Sequence, residues 1–76
     1  MQFKGSSVVI TGAGGGIGAA IARAAAARGA RVCVSDIDGN KARQVAEEIG
    51  GIAVACDVTD EAAIQNLIET ARAAHG

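Results

Sequence analysis

A chain of 76 residues carries at most one small domain, and at this size folding buries only about 60% of the surface that the unfolded chain exposes. Seven Lys and Arg against eight Asp and Glu give a net charge of -1, with no basic block or acidic tail, which excludes an electrostatic case for nucleic acid or an anionic membrane as partner. No apolar run reaches the roughly 18 residues of a membrane span, and Met1 to Ser7 lacks the charged-then-apolar order of a signal peptide, so the expected compartment is the cytosol.

In chain order, Val8-Val9-Ile10 predicts a first strand, closed by a glycine-rich turn. The first helix follows, with Ile17, Ala20, Ile21, Ala24 and Ala25 at the spacing of one buried face and Gly29 as its stop. Val32-Cys33-Val34 predicts the second strand. The second helix has Asp38 or Asn40 as N-cap, a face of Ala42, Val45, Ala46 and Ile49, and Gly50-Gly51 after its end. A third strand, Ile52 to Ala55, leads to a third helix with Thr59 at its N-cap and Ile64, Leu67, Ile68 and Ala71 on one face.

The apolar runs are nearly continuous, the pattern of parallel strands covered on both faces. Strand and helix alternating with short connections predict an α/β fold: a Rossmann-like doubly wound parallel sheet, of which the first β-α-β-α-β-α portion is present, with strands in the order 3-2-1. Cys33 and Cys56 have no C-x-x-C spacing and no histidine close by, so they read as small buried hydrophobes and no metal site is expected.

The stretch VVITGAGGGIG puts its glycines where the first strand ends and the first helix begins. In an open α/β sheet this carboxyl edge is where ligands bind, and a helix N-terminus offers unpaired N–H groups and partial positive charge to a phosphate. Two registers fit. Gly14, Gly16 and Ala19 match G-x-G-x-x-[GA], whereas Gly12, Gly16 and Gly18 match a T-G-x-x-x-G-x-G spacing that starts directly after Ile10, and the second is preferred. Ile17, between its last two glycines, is expected to start the buried face of the helix. A P-loop is excluded, because no Lys followed by Ser or Thr closes the loop.

Asp36 ends the second strand, where a carboxylate can accept hydrogen bonds from both hydroxyls of an adenosine ribose and would repel a 2′-phosphate. The bland alternative is a solvated turn residue. Gly15 in the loop and Ile37 after the acid bring no positive charge for such a phosphate, and Lys41 and Arg43 lie further on, so NAD is preferred over NADP.

At this point the chain resembles the short-chain dehydrogenase/reductase family along its whole length. Thr11-Gly12-Ala13-Gly14-Gly15-Gly16-Ile17-Gly18 is similar to that family's cofactor loop, and Cys56-Asp57-Val58-Thr59-Asp60 to the segment after its third strand. The resemblance implies that Gly12, Gly15, Gly16 and Gly18 form the cofactor loop with a backbone contact from Ile17 near the pyrophosphate. It also implies that Ile37 lies against the adenine, that Asp57 bonds the adenine amino group, and that Val58 packs or bonds at the ring. From its residue type alone, Asp57 could equally cap the last helix or sit in a solvated turn.

The same resemblance implies an NAD-dependent oxidoreductase moving hydride between nicotinamide and a small-molecule alcohol or ketone, assembled as a homo-dimer or homo-tetramer. Members also carry an N-N-A-G strand, a catalytic serine and a Y-x-x-x-K pair, and this chain has no tyrosine, so no catalytic residue is assigned. His75 reads as a solvated helix-end residue. Residues 1–76 are therefore expected to be the amino-terminal, adenosine-binding half of a Rossmann domain in a larger enzyme, with no second domain. The alternatives are a stand-alone, non-catalytic module binding an adenine nucleotide, or an interaction piece with a vestigial loop.

Overall fold

The computed structural model describes residues 7–12 and 14–75, with the side chain of His75 excepted. The elements follow the expected alternation: β1 (Ser7–Ile10), α1 (Gly16–Ala27), β2 (Arg31–Asp36), α2 (Gly39–Ile49), β3 (Ile52–Ala55) and α3 (Glu61–His75). All strand pairs are parallel and β2 is central, in the order β1-β2-β3, with Val9 beside Cys33 and Ser35 beside Val54.

Because side chains alternate across a strand, β2 feeds two cores. Val32 and Val34 pack with Ala19, Ala22 and Ala25 of α1 and Ala42, Val45 and Ala46 of α2. Cys33 faces the other way, with Val54, Cys56 and, from α3, Leu67 and Ala71. Helices therefore cover both faces, the arrangement of a doubly wound sheet.

Coverage is uneven along the sheet. Only β2 is buried through most of its length, while β1 alternates exposed and half-buried residues and Ala53 and Ala55 of β3 are exposed. The expectation that every strand is covered on both faces holds for β2 but fails at β1 and β3, the outer strands among the described residues.

The buried face of α1 also differs from expectation. Ile17 is 81% exposed, and Ile21, Ala20 and Ala24 face out as well, whereas Ala19 and Ala22 are buried; Ala25 is buried as expected. Alanine flanks every side of this helix, so spacing alone does not select a face. The short alanine side chains let α1 lie close over β2 in a way that the branched isoleucines would not. In α3, Leu67 and Ala71 are buried as expected, but Ile68 is half exposed.

The helix boundaries have local causes. Asp38 caps α2, its Oδ1 accepting the N–H of Asn40 at 3.0 Å and of Lys41 at 3.3 Å. Gly50 ends that helix in the left-handed region at φ 71°, where a Cβ would be strained. For α3 the cap is Asp60, which accepts from the N–H of Ala62 at 2.9 Å and of Ala63 at 3.3 Å, and not Thr59 one residue earlier. Ser35 is fully buried on β2, and its Oγ has no hydrogen-bond partner among the described residues.

Candidate functional site

The chain leaves β1 through Thr11 and Gly12, and Gly12 takes φ +64°, a conformation that side chains rarely adopt. The N–H of Gly15 donates to the carbonyl of Gly12 at 3.2 Å, closing the turn one residue before α1 begins. Gly15 is the N-cap, and no side chain caps this helix. A Cβ built at Gly12 or Gly16 would meet nothing within 4 Å, so both positions border open space. Gly18 is half-buried in the first helical turn. The result is a backbone ledge whose N–H groups carry the positive end of the α1 dipole without a side-chain cap. Ala13 lies outside the described residues.

Asp36 stands at the end of β2 and holds three segments together. Its Oδ2 accepts the N–H of Gly14 at 3.0 Å, and its Oδ1 accepts that of Asp38 at 2.9 Å. Its main-chain carbonyl accepts the N–H of Cys56 at 3.0 Å, just past β3. The carboxylate is thus fixed beside the glycine ledge, and the reading of Asp36 as a merely solvated turn residue does not describe it.

Ile37 and Val58 follow the second and third strands and are 73% and 55% exposed. Between them in sequence, Asp57 uses its own turn: Oδ1 accepts the Thr59 hydroxyl at 2.7 Å and the Thr59 N–H at 2.9 Å. Those bonds, the hydroxyl first, hold the Asp57 carboxyl below the usual carboxylate range. Asp57 does not cap α3, since Asp60 does. The backbone thus brings Gly12, Gly15, Gly16, Ile17, Gly18, Asp36, Ile37, Asp57 and Val58 to the carboxyl edge of one sheet.

Two hollows lie near this edge. One, of about 280 Å³, opens between α1 and α2 beside Gly14, Lys41 and the ion pair of Arg23 with Glu48. The other, of about 540 Å³, lies between the start of α2 and β3, beside Ile37, Arg43 and Ala55. Neither is lined by Asp36, Asp57 or Val58. Gly14, Gly15 and Gly16 at the bare start of α1 line the first of these hollows, and an uncapped helix start of this kind suits an anion.

Sequence reasoning missed the contact between Gly14 and Asp36. Its only trace was that Gly14 belongs to the less favoured of the two glycine registers. Cys33 and Cys56 are buried and free, and burial pushes the Cys33 thiol up. Among the described residues no group of three His, Cys, Asp or Glu could hold a metal ion, and no helix is long and apolar enough to cross a membrane.

Comparison with known proteins fits this geometry. The family model described as short chain dehydrogenase matches residues 6–76. Sorbitol dehydrogenase of Cereibacter sphaeroides is 44% identical over 70 residues, covering 90% of this chain and 27% of that protein. The 3-oxoacyl-[acyl-carrier-protein] reductase FabG of Escherichia coli is 40% identical over 78 residues, covering all of this chain and 32% of that protein. Among solved structures, a 3-ketoacyl-(acyl-carrier-protein) reductase from Brucella melitensis complexed with NADH superposes with a TM-score of 0.96 at 39% identity, over 99% of this chain and 32% of the other. A 7 alpha-hydroxysteroid dehydrogenase complexed with NADH and 7-oxo glycochenodeoxycholic acid gives 0.87 at 41% identity, over 92% of this chain and 29% of the other. The chain spans about a third of the length of these relatives. With its three parallel strands, its helices on both faces and a family match over nearly every residue, the chain belongs to the short chain dehydrogenase family.

Proposed function

We propose that this chain supplies the adenosine- and pyrophosphate-binding part of an NAD-dependent oxidoreductase that moves hydride between nicotinamide and an alcohol or ketone. The observation that carries the reading is the uncapped start of α1 beside a carboxylate fixed at the end of β2. The residues fit the cofactor: open space in front of Gly12 and Gly16 leaves room for a pyrophosphate against backbone N–H groups. Two of the solved relatives are described as complexed with NADH.

In this reading Gly12, Gly15, Gly16 and Gly18, with the backbone of Ile17, hold the pyrophosphate. Asp36 accepts hydrogen bonds from the adenosine ribose, and its negative charge opposes a 2′-phosphate, which favours NAD over NADP. The exposed side chains of Ile37 and Val58 flank the adenine, and Asp57 accepts from its amino group. When bound, the nicotinamide supplies the hydride-transferring carbon. These residues orient the cofactor and move no proton, so no general acid or base is assigned among them. An alcohol or ketone substrate agrees with the names of relatives, among them a sorbitol dehydrogenase, a D-threitol dehydrogenase and 3-oxoacyl reductases. Family resemblance extends the reading to a cytosolic homo-dimer or homo-tetramer.

The test is a pair of titrations of the full-length protein with NAD and NADP by calorimetry, repeated on Asp36→Ala. The expected result is NAD weakened by about tenfold or more, as for loss of a charge-assisted hydrogen bond, with NADP weakened less or strengthened. Equal losses for both nucleotides, or no binding of either by the unmodified protein, would overturn the assignment.

A further inference from the structure

We propose that Gly14 is a specificity-determining position: its missing side chain lets its N–H hold the Asp36 carboxylate in the orientation that receives a ribose diol and turns away a 2′-phosphate. The proposal rests on the NAD reading above and adds a residue to it. In the T-G-x-x-x-G-x-G spacing Gly14 is one of the variable positions, so the pyrophosphate gives no reason for a glycine there.

The structure supplies one. A Cβ at position 14 would lie 2.6 Å from Lys41 Cβ, 2.9 Å from Asp36 Oδ2 and 3.2 Å from Asp36 Cγ. Gly12 and Gly16, by contrast, border open space. The place that a Cβ at position 14 would take is therefore already closed by Lys41 and Asp36. Lys41 Cβ is the root of its side chain in the first turn of α2, so it cannot swing aside as a lysine tip would.

The carboxylate is gripped from two sides, by Gly14 N–H on Oδ2 at 3.0 Å and by Asp38 N–H on Oδ1 at 2.9 Å. Each oxygen of an ionised carboxylate accepts about two hydrogen bonds, so each keeps one direction for a further donor. Two adjacent acceptors suit two adjacent hydroxyl donors, and charge-assisted bonds already in place hold the side chain in that orientation before the nucleotide arrives. A methyl group at position 14 must displace the carboxylate or the first turn of α2. Displacing the carboxylate moves the ribose acceptor and, by the same motion, the charge that opposes a 2′-phosphate. One methyl should thus act in opposite directions on the two nucleotides.

The experiment measures dissociation constants for NAD and NADP by calorimetry on the full-length protein and on Gly14→Ala. The expected result is an NAD constant raised about tenfold with an NADP constant unchanged or lowered, so that the preference for NAD narrows by about tenfold or more. Adding Lys41→Gly, which removes the atom at 2.6 Å, should recover part of the NAD affinity. A folded Gly14→Ala with both constants unchanged, or both raised equally, overturns the proposal.

Should Gly14→Ala not fold, amide hydrogen exchange decides instead. The Gly14 N–H should be protected in the unmodified protein and exchange faster in Asp36→Asn, and equal rates overturn the proposal. An unmodified protein that binds neither nucleotide overturns the NAD reading and the role of Gly14 with it. NAD binding weakened by Asp36→Ala but untouched by Gly14→Ala overturns the role of Gly14 alone.

Discussion

Helices α2 and α3 start on Asp38 and Asp60, whose carboxylates each accept two N–H groups of the first turn. Helix α1 starts on Gly15, with no side chain to offer its own first turn. An aspartate cap stabilises a helix by about 1 kcal/mol relative to alanine and by a few tenths relative to glycine. The two capped starts serve the fold. The bare one forgoes that contribution at the carboxyl end of β1, as the proposed function requires, where its N–H groups are kept for an anion that arrives from outside.

The comparison breaks most visibly at Gly16. A side chain there would project into open space, so Gly16→Val should leave the fold intact, with a melting temperature within a few degrees of the parent. On the proposed function the same side chain would stand where the pyrophosphate approaches, and calorimetry on the full-length protein should find NAD binding weakened by about a hundredfold or more. Unchanged NAD affinity in the folded variant would mean that the ledge is not the phosphate site.

A smaller and sharper effect is expected from giving α1 the cap that its neighbours have. A Cβ at Gly15 would make only an ordinary contact, at 3.6 Å from the Gly12 carbonyl oxygen, so an aspartate can be accommodated. Gly15→Asp should raise stability by a few tenths of a kcal/mol in urea unfolding, since a carboxylate suits a helix N-terminus. On the proposed function it should also weaken NAD by about tenfold, because the new charge would face the pyrophosphate. Movement of both quantities in the same direction would refute the idea that this start is reserved for an anion.

Ser35 is the control, a fully buried polar residue whose Oγ has no partner among the described residues. A buried hydroxyl left unpaired costs about 1 kcal/mol or more, so Ser35→Ala should stabilise the protein by about that amount with NAD affinity unchanged. Loss of stability in that variant would show that the hydroxyl is satisfied after all.

The smallest effect concerns acid. Thr59 holds the Asp57 carboxyl below its usual range, so this contact contributes above the unfolded value of about 3.9 and is lost as pH falls through the lower folded value. Thr59→Val should therefore lower the urea midpoint near neutral pH, and the deficit should shrink below about pH 4. A deficit that does not change with pH would point to packing instead.

Much of this was legible in the chain. Short apolar runs separated by helix-length stretches specify the parallel order, because a crossover helix allows little else, and the glycine cluster and Asp36 lie together at the carboxyl edge of the sheet, where the sequence put them. What escaped had physical reasons. The face of α1 was misread because isoleucine outranks alanine by hydrophobicity, whereas close approach to the sheet selects the smaller residue. The cap of α3 was placed one residue early because Thr59 and Asp60 are adjacent and both residue types cap well. The tie between Gly14 and Asp36 joins positions 22 residues apart, and no local spacing rule reports a contact that only sheet pairing creates.

That tie has a consequence for how the protein reaches its active form. Asp36 answers Gly14 behind it in the chain and Cys56 ahead of it, across two crossover connections. Helices form within about a microsecond, but the Gly14 bond needs β1 beside β2 and the Cys56 bond needs β3 beside β2. On the proposed function, nucleotide recognition therefore follows strand pairing, and a cofactor present during synthesis would stabilise the finished sheet while offering little to the partly folded chain.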